Sequence, residues 1–525
     1  MFIGCIRNIQ GGYNMAIELI KETFKVEELK GNNDIQVLVE SEIYLNPSGP
    51  VIENVLWVQG KADVLNTKII EDKLIVSGNV KFNLLYKSAD EENNIHTLEA
   101  AKEFREEIDI RGADEDMISK VNSSIEHIEW DMEEGMVLLK ALVNLHGEVR
   151  EFKNIEAIKE IVGGDGLQFK KENVNYKEVI GREISYIAVK DVLRLDNSAP
   201  EIDEIIKFNL SPRQIETMVV DDRMITSGEV HINLIYNGGN MIHSQKGIIP
   251  FNHFIEMPRV NPELKGQLEL EVVDGIYEVI GDEDGERRLV DLEVKVRATG
   301  KVYENKSRDL IIDAYSTKEN LLLEREEIRI DENLRDINYE ENLDIAISDI
   351  DASEILMVDG TVNLLEKKLT DESIVIDGVV TLEIQYIDRI SGDLNSHKLD
   401  YPFRSNIYEH AEGADILEIE ASLEGIDYNL RRDDLNISGK VGMDISLGRN
   451  KKIYSIKEIK ETKEVFDKKN KPSITIYFVQ KNDDLWDIAK RYNTTIEQIL
   501  LSNNTTELHP GDKIIIEKIV DDVAV

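Results

Sequence analysis

At 525 residues, with 41% hydrophobic and 32% charged side chains, the chain can bury three or four cores at roughly 150 residues per domain, which excludes a disordered protein. A total of 62 Lys plus Arg stands against 104 Asp plus Glu, and the resulting net charge of −42 disfavours nucleic-acid and membrane-surface partners while favouring basic partners or divalent cations. The single cysteine, Cys5, excludes a disulfide scaffold, Cys-based zinc sites and CxxC redox chemistry.

At the N-terminus, residues 1–18 hold no basic segment followed by an apolar stretch, so no secretory signal is expected. No run reaches the ~18 uninterrupted apolar residues of a membrane helix. Residues 9–15 can be back-translated to contain a ribosome-binding sequence just ahead of an ATG codon. This sets the expectation that Met15 is the true start.

An internal repeat follows. Asp72-Lys73-Leu74-Ile75-Val76-Ser77-Gly78 runs on to Asn83-Leu84-Leu85-Tyr86, and Asp222-Arg223-Met224-Ile225-Thr226-Ser227-Gly228 runs on to Asn233-Leu234-Ile235-Tyr236. A third copy is Glu372-Ser373-Ile374-Val375-Ile376-Asp377-Gly378, ending at Tyr386. Gly78, Gly228 and Gly378 fall at a constant step of 150, and Val55, Ile205 and Ile355 keep it. Downstream, Phe104 with Ile108, Phe251 with Ile255 and Phe403 with Ile407 share an F-x-x-x-I spacing. Homologous domains are therefore expected at 15–166, 167–318 and 319–470.

Within each copy the alternation has period two. Leu74, Val76, Gly78, Val80, Phe82, Leu84 and Tyr86 share one face, which predicts a long half-buried strand with a bulge or close backbone approach at the glycine. Ile125–Trp130, 268–272 and 291–296 repeat the pattern, with turn signals at Glu133-Glu134-Gly135 and 281–285. Strands parted by polar turns predict a mainly β fold of sandwich or barrel-like domains. Short helices are expected near 100–107 and 154–161, and linkers at 162–166 and 315–320. The repeated residues read as fold-defining, since no repeated position joins a nucleophile to a base.

From Lys471 the pattern changes. Thr475–Val479 reads as a strand, and Asp484 as the N-cap of a helix with Leu485, Ile488, Ala489 and Tyr492 at helical spacing. Thr495-Ile496-Glu497-Gln498 opens a second helix as a capping box, ended by Asn503-Asn504. Pro510-Gly511-Asp512 is a turn before a closing strand at 513–516. A small βααβ domain is expected at 474–518.

These last residues resemble the LysM domain: Tyr477, Val479, Lys481, Asp483, Leu485-Trp486, Ile488-Ala489, Arg491-Tyr492 and Pro510-Gly511 match its pattern. The resemblance implies a shallow glycan groove whose rim, by position, is Asn482, Asp483, Asp484, Leu485, Ser502, Asn503 and Asn504. Asn482 replaces the family's usual glycine and Asp484 its usual Thr or Ser, which weighs against a retained glycan site. The three repeats look like SPOCS domains of spore-forming bacteria. Three SPOCS repeats followed by one LysM domain resemble the SipL-like family of spore-coat morphogenetic proteins. That resemblance implies a non-enzymatic mother-cell scaffold or adaptor at the forespore surface, binding a SpoIVA-like coat ATPase and other coat proteins.

A LysM domain without an export signal meets no peptidoglycan in the cytosol, so a protein ligand is expected. Ile474, Tyr477 and Trp486 are candidate anchors for it; Trp486 alternatively belongs to the module's own core. The competing reading is a LysM-mediated peptidoglycan binder of the cell wall or spore cortex. A third possibility, a small ligand between the sheets, has no residue to select it. No phosphate-binding G-x-x-x-x-G-K-[ST], HExxH or G-x-S-x-G motif occurs, and no catalytic residue, cofactor or metal is expected. His127 and His146 read as strand residues, Asp282-Glu283-Asp284-Gly285 as a hairpin turn, and Asp90-Glu91-Glu92 as a solvated loop.

Overall fold

Period-two alternation becomes strand throughout the three repeats. The computed structural model describes residues 17–517 apart from 90–94, 165, 197, 240, 349, 371, 410–412, 432–433, 467–471 and 506. The expected start at Met15 and the acidic run at Asp90 fall outside the described residues.

The first repeat comprises β1 (Glu18–Tyr44), β2 (Ile52–Ile70), β3 (Lys73–Ser88), β4 (Ile95–Asp109), β5 (Ile118–Glu133) and β6 (Met136–Val162). These form two antiparallel three-stranded sheets, β1-β6-β5 and β2-β3-β4. The sheets face each other, with β2 running beside β5 and β4 beside β1, so the sandwich closes towards a barrel. Leu74, Val76, Val80, Phe82 and Leu84 of β3 interlock with Val137, Leu139, Ala141, Val143 and Leu145 of β6. The space between the sheets is filled by this core.

The second repeat repeats the plan with β7 (Leu167–Arg194), β8 (Glu204–Val220), β9 (Arg223–Gly238), β10 (Met241–Glu256), β11 (Lys265–Ile280) and β12 (Leu289–Ser316). In the third stand β13 (Glu319–Ile347), β14 (Ala352–Leu369), β15 (Ser373–Asp388), β16 (Leu394–Tyr408), β17 (Asp415–Arg431) and β18 (Asp434–Val465). Their central strands are β12 and β9, then β18 and β15.

The repeated glycine now has a cause. β2 carries one extra residue, Leu65, opposite Gly78, and β8 and β14 carry Ile215 and Leu365 opposite Gly228 and Gly378. Each bulge brings a carbonyl over the glycine, from Asp63, Arg213 or Asn363. From the other neighbour, the ring of Phe104, Phe251 or Phe403 lies flat enough on the glycine that an added Cβ would stand 2.5 Å from its Cζ. The glycine and the F of F-x-x-x-I are one device: the ring covers the gap that the missing side chain leaves.

Two expectations are corrected. Residues 100–107 and 154–161 are strand, within β4 and β6, not helix. Phe104 and Ile108 lie four apart, a spacing that serves one helix face and one strand face alike, and pairing with β3 decides for strand. In β6 an extra residue, Lys159, lets Ala157 and Ile158 both bury, which mimics helical spacing. The expected linkers are tight turns. β6 passes to β7 through Gly163, Gly164 and Gly166, all at positive φ, and β12 passes to β13 through Thr317-Lys318, where the Thr317 amide donates to the Gly166 carbonyl at 2.9 Å. Tyr315 and Ser316 belong to β12 and are buried.

These turns close the ends of three long hairpins. Beyond Arg150, Tyr303 and Gly448, where β5, β11 and β17 stop pairing, β1/β6, β7/β12 and β13/β18 continue as two-stranded ribbons. The ribbons pack together as a stem. Phe24, Ile155, Val174, Tyr176, Leu310, Ile328 and Ile453 form its upper core, and Ile158, Ile311, Ala314, Ile456 and Ile459 its lower one.

Above the stem the sandwiches form a closed ring. Thr97 donates to Glu204 at 3.3 Å, Asn209 to Asp359 at 2.7 Å, and Lys87 pairs with Asp393 at 3.2 Å, linking first to second, second to third and third to first repeat. Trp57, Leu85, Ile206, Ile235, Leu356 and Met357 fill the join. Between join and stem lies a cleft of about 3700 Å³ lined by all three repeats. It is crossed by Lys120, whose Nζ sits 2.6 Å from Glu420 and 3.4 Å from Glu269. Burial pulls the Lys120 pKa down, but these two carboxylates outweigh it and hold the ammonium charged.

Candidate functional site

The C-terminal module is β19 (Ile474–Phe478), α1 (Leu485–Tyr492), α2 (Ile496–Asn503) and β20 (Lys513–Glu517), with β19 and β20 antiparallel. Its caps are those the sequence encodes. Asp484 accepts from the Asp487 amide at 2.6 Å and Thr495 from the Gln498 amide at 3.1 Å. Asn493 and Asn504 end the helices in the left-handed conformation. The turn at Gly511 has φ 94°, and its amide donates to the Val479 carbonyl at 2.8 Å.

The two departures from the LysM pattern are conservative for the backbone. Asn482 stands at φ 72°, a conformation that favours glycine and that asparagine tolerates best among the rest. Asp484 performs the same N-cap function as Thr or Ser. Of the remaining rim residues, Asp483 and Asn503 are engaged with their own chain. Asp483 accepts from the Gln480 amide at 2.8 Å and the Tyr477 hydroxyl at 2.7 Å, and these donors hold its carboxyl below its ordinary pKa. Asn503 bridges α2 to β20: its amide donates to the Ile499 and Ile515 carbonyls, while its Oδ1 accepts from the Ile515 amide at 2.6 Å. Ser502 and Leu485 are half-buried, and Asn504 is exposed at its cap.

Two surfaces of the module differ sharply. The inner face of the β19/β20 sheet buries Ile514 and Ile516 against the helices, with Tyr477 beside them. The outer face is apolar too, yet open: Ile474, Ile476 and Phe478 are 58, 52 and 57% exposed, and Ile515, paired with Ile476, adds to them. Ile474 thus stands at one end of an uncovered apolar row.

Trp486 stands elsewhere. It is 8% exposed, in one cluster with the module's own core residues Ile488 and Ala489 and with Tyr315 of the second repeat. Its Nε1 donates to Asp313 at 2.8 Å, Lys490 donates to both oxygens of the same carboxylate at 2.8 and 2.7 Å, and Arg325 approaches it at 2.7 Å. Tyr315 meets the indole edge-on at 4.9 Å between ring centres and donates its hydroxyl to the Thr494 carbonyl at 2.8 Å. Lys170 donates to Asp484 at 2.9 Å. Burial pushes the Asp313 carboxyl up, but donation from Lys490 and Trp486 wins and holds it below its ordinary pKa. The anchor residues therefore divide: Ile474 faces outward, Tyr477 serves the loop before α1, and Trp486 docks the module on the stem. Sequence reasoning missed Asp313, Tyr315 and Lys170, which lie more than 150 residues upstream of their partners and carry no motif.

Other singled-out residues are structural. His127 faces solvent beside Glu129, and His146 pairs with Asp34 at 2.8 Å. Asp282 Oδ1 accepts from the amides of Asp284 and Glu286, closing a polar turn. Among the described residues no acidic or histidine cluster is arranged to hold a metal ion, and no helix is long and apolar enough to cross a membrane.

A family model described as SipL, SPOCS domain matches residues 51–133, 201–280 and 351–458, and a LysM domain model matches residues 477–517. No curated protein and no solved structure matches the chain.

Proposed function

The chain belongs to the SipL, SPOCS domain family, whose model matches more than half of its residues, and on that premise we propose that it is a non-enzymatic spore-coat morphogenetic scaffold. It is a sporulation-related protein with a LysM module, and SPOCS and LysM are non-catalytic domain families. In this reading the LysM domain binds a SpoIVA-like coat ATPase and recruits coat around the forespore from the mother-cell side. The ring and stem hold the module on a rigid base and bind other coat proteins.

The observation that carries the reading is the open outer row of Ile474, Ile476, Phe478 and Ile515 on a protein of net charge −42. Each such side chain gains about 1.5–3 kcal/mol when fully buried, so the row can nucleate an interface of roughly 1,200–2,000 Å². Removing residues 471–525 abolishes co-purification of the coat ATPase from sporulating cells, and the paired change Ile476→Asp with Phe478→Asp does the same in the full chain. Undiminished recovery by the truncated chain would overturn the proposal.

A second reading, peptidoglycan binding at the LysM groove, is favoured by the preserved loop conformation at Asn482. Saturable sedimentation with purified peptidoglycan at moderate salt would support it against the first.

A further inference from the structure

The module follows the third repeat in the chain but docks on the second. The homologous bulges of the stem explain why. Each ribbon carries an equivalent bulge, at Lys159 in β6, Ile312 in β12 and Lys457 in β18. The next residue and the one two further on then face the outside of the stem. In the first ribbon they are Glu160 and Val162, with Ile20 paired across from Glu160. The third offers Glu458 and Lys460, with Glu324 across. Only the second offers an acid and an aromatic, Asp313 and Tyr315, with Lys170 across from the acid.

That set matches α1 charge for charge. Lys170 meets Asp484 at the helix N-terminus, and Asp313 meets Lys490 in the last turn, so both ion pairs also follow the helix dipole. Trp486 reads both members of the pair, giving its N–H to the acid and its ring edge to the tyrosine. The Thr494 carbonyl takes the tyrosine hydroxyl, for which valine has no donor, and lysine, though a donor, has no ring to meet Trp486.

We infer that the α1 face of the LysM domain, built from Trp486, Lys490 and the Thr494 carbonyl, is a binding site for an extended strand bearing an acid-x-Tyr pair, occupied in this chain by Asp313 and Tyr315. The site is distinct from the outer sheet face and stands or falls apart from it. Because the resident strand is tethered, it competes at high effective concentration. A strand from another protein enters only when the resident pair is weakened or displaced.

The test uses the full chain and a fluorescent peptide of sequence Leu-Ile-Ile-Asp-Ala-Tyr-Ser-Thr, followed by polarisation. The double variant Asp313→Asn with Tyr315→Ala opens the site and binds the peptide at least about tenfold more tightly than the unaltered chain, as expected when a charge-assisted hydrogen-bond set is freed. Lys490→Ala in the open background removes that gain, and replacing the peptide's Asp by Asn weakens it by a similar factor. Ile476→Asp with Phe478→Asp in the open background leaves peptide binding unchanged. If the double variant fails to fold, as judged by circular dichroism and gel filtration, Asp313→Asn alone serves. Equal binding to open and unaltered chains, indifference to Lys490→Ala or to the peptide's Asp, or no binding to either opened variant overturns the inference.

Discussion

Gly78, Gly228 and Gly378 are needed for a steric reason that stands on three sides at once: no room for a Cβ beneath a phenylalanine ring, a carbonyl brought near by the bulge, and a central strand that cannot shift. Gly228→Ala is therefore expected to cost about 2–4 kcal/mol, an overpacking effect with little freedom to relax. Gly135→Ala, at φ 83° with no atom near the new methyl, should cost only about 1 kcal/mol. Urea unfolding of the two variants checks the contrast, and equal midpoints would contradict it. At this scale the sequence was informative. The alternation of β3, the caps at Asp484 and Thr495 and the turn at Gly511 all follow from local chemistry. Asn482 keeps the left-handed backbone that a glycine would supply, while its side chain is the addition to the groove rim that the sequence announces. A residue type reveals its steric allowance only once its φ is known.

Elements were legible where one period dominated and illegible where two coincided. The i,i+4 spacing of Phe104 and Ile108 fits a helix as well as a strand, and the bulge at Lys159 produces adjacent buried residues that no simple period describes. Docking of α1 on β12 was invisible, because Asp313 and Tyr315 resemble any acid and aromatic in an acidic strand-rich chain. Its pH dependence follows from Asp313, whose carboxyl is held below its ordinary value in the docked state. A depressed carboxylate contributes stability that is fully present above the ordinary carboxylate range and is lost as pH falls through its lowered docked value. Asp484 shifts in the same direction, with burial opposing the amide of Asp487 and Lys170. Docking should accordingly hold at neutral pH and loosen below about pH 4. Limited acid-protease cleavage between β18 and β19, rising over that window and already raised in Asp313→Asn, checks it; a cleavage rate flat with pH would count against the latch.

For the whole molecule, repetition at a step of 150 announced three copies but not that they close on one another. The contacts that close them are spread over Trp57, Leu85, Ile206, Ile235 and Met357, and over stem residues such as Phe24, Tyr176 and Ile328, each an ordinary apolar strand residue in the sequence. A fragment of residues 17–164 would leave Phe24, Ile155, Trp57 and Leu85 uncovered. It should associate or precipitate, whereas the chain without residues 471–525 should remain monomeric and strand-rich by light scattering and circular dichroism. A well-behaved monomeric single repeat would show that the ring is dispensable. The lysine crossing the central cleft has a genetic consequence. Lys120 faces Glu269 and Glu420, so the three copies are not interchangeable tiles. By register the siblings carry Gln267 and Glu418 where the first copy has Lys120, so overwriting the first copy with either would take away the cation that stands between these two carboxylates. One shared position thus tells the first copy from its siblings, and a gene that duplicated one copy over another would keep its length while losing that distinction.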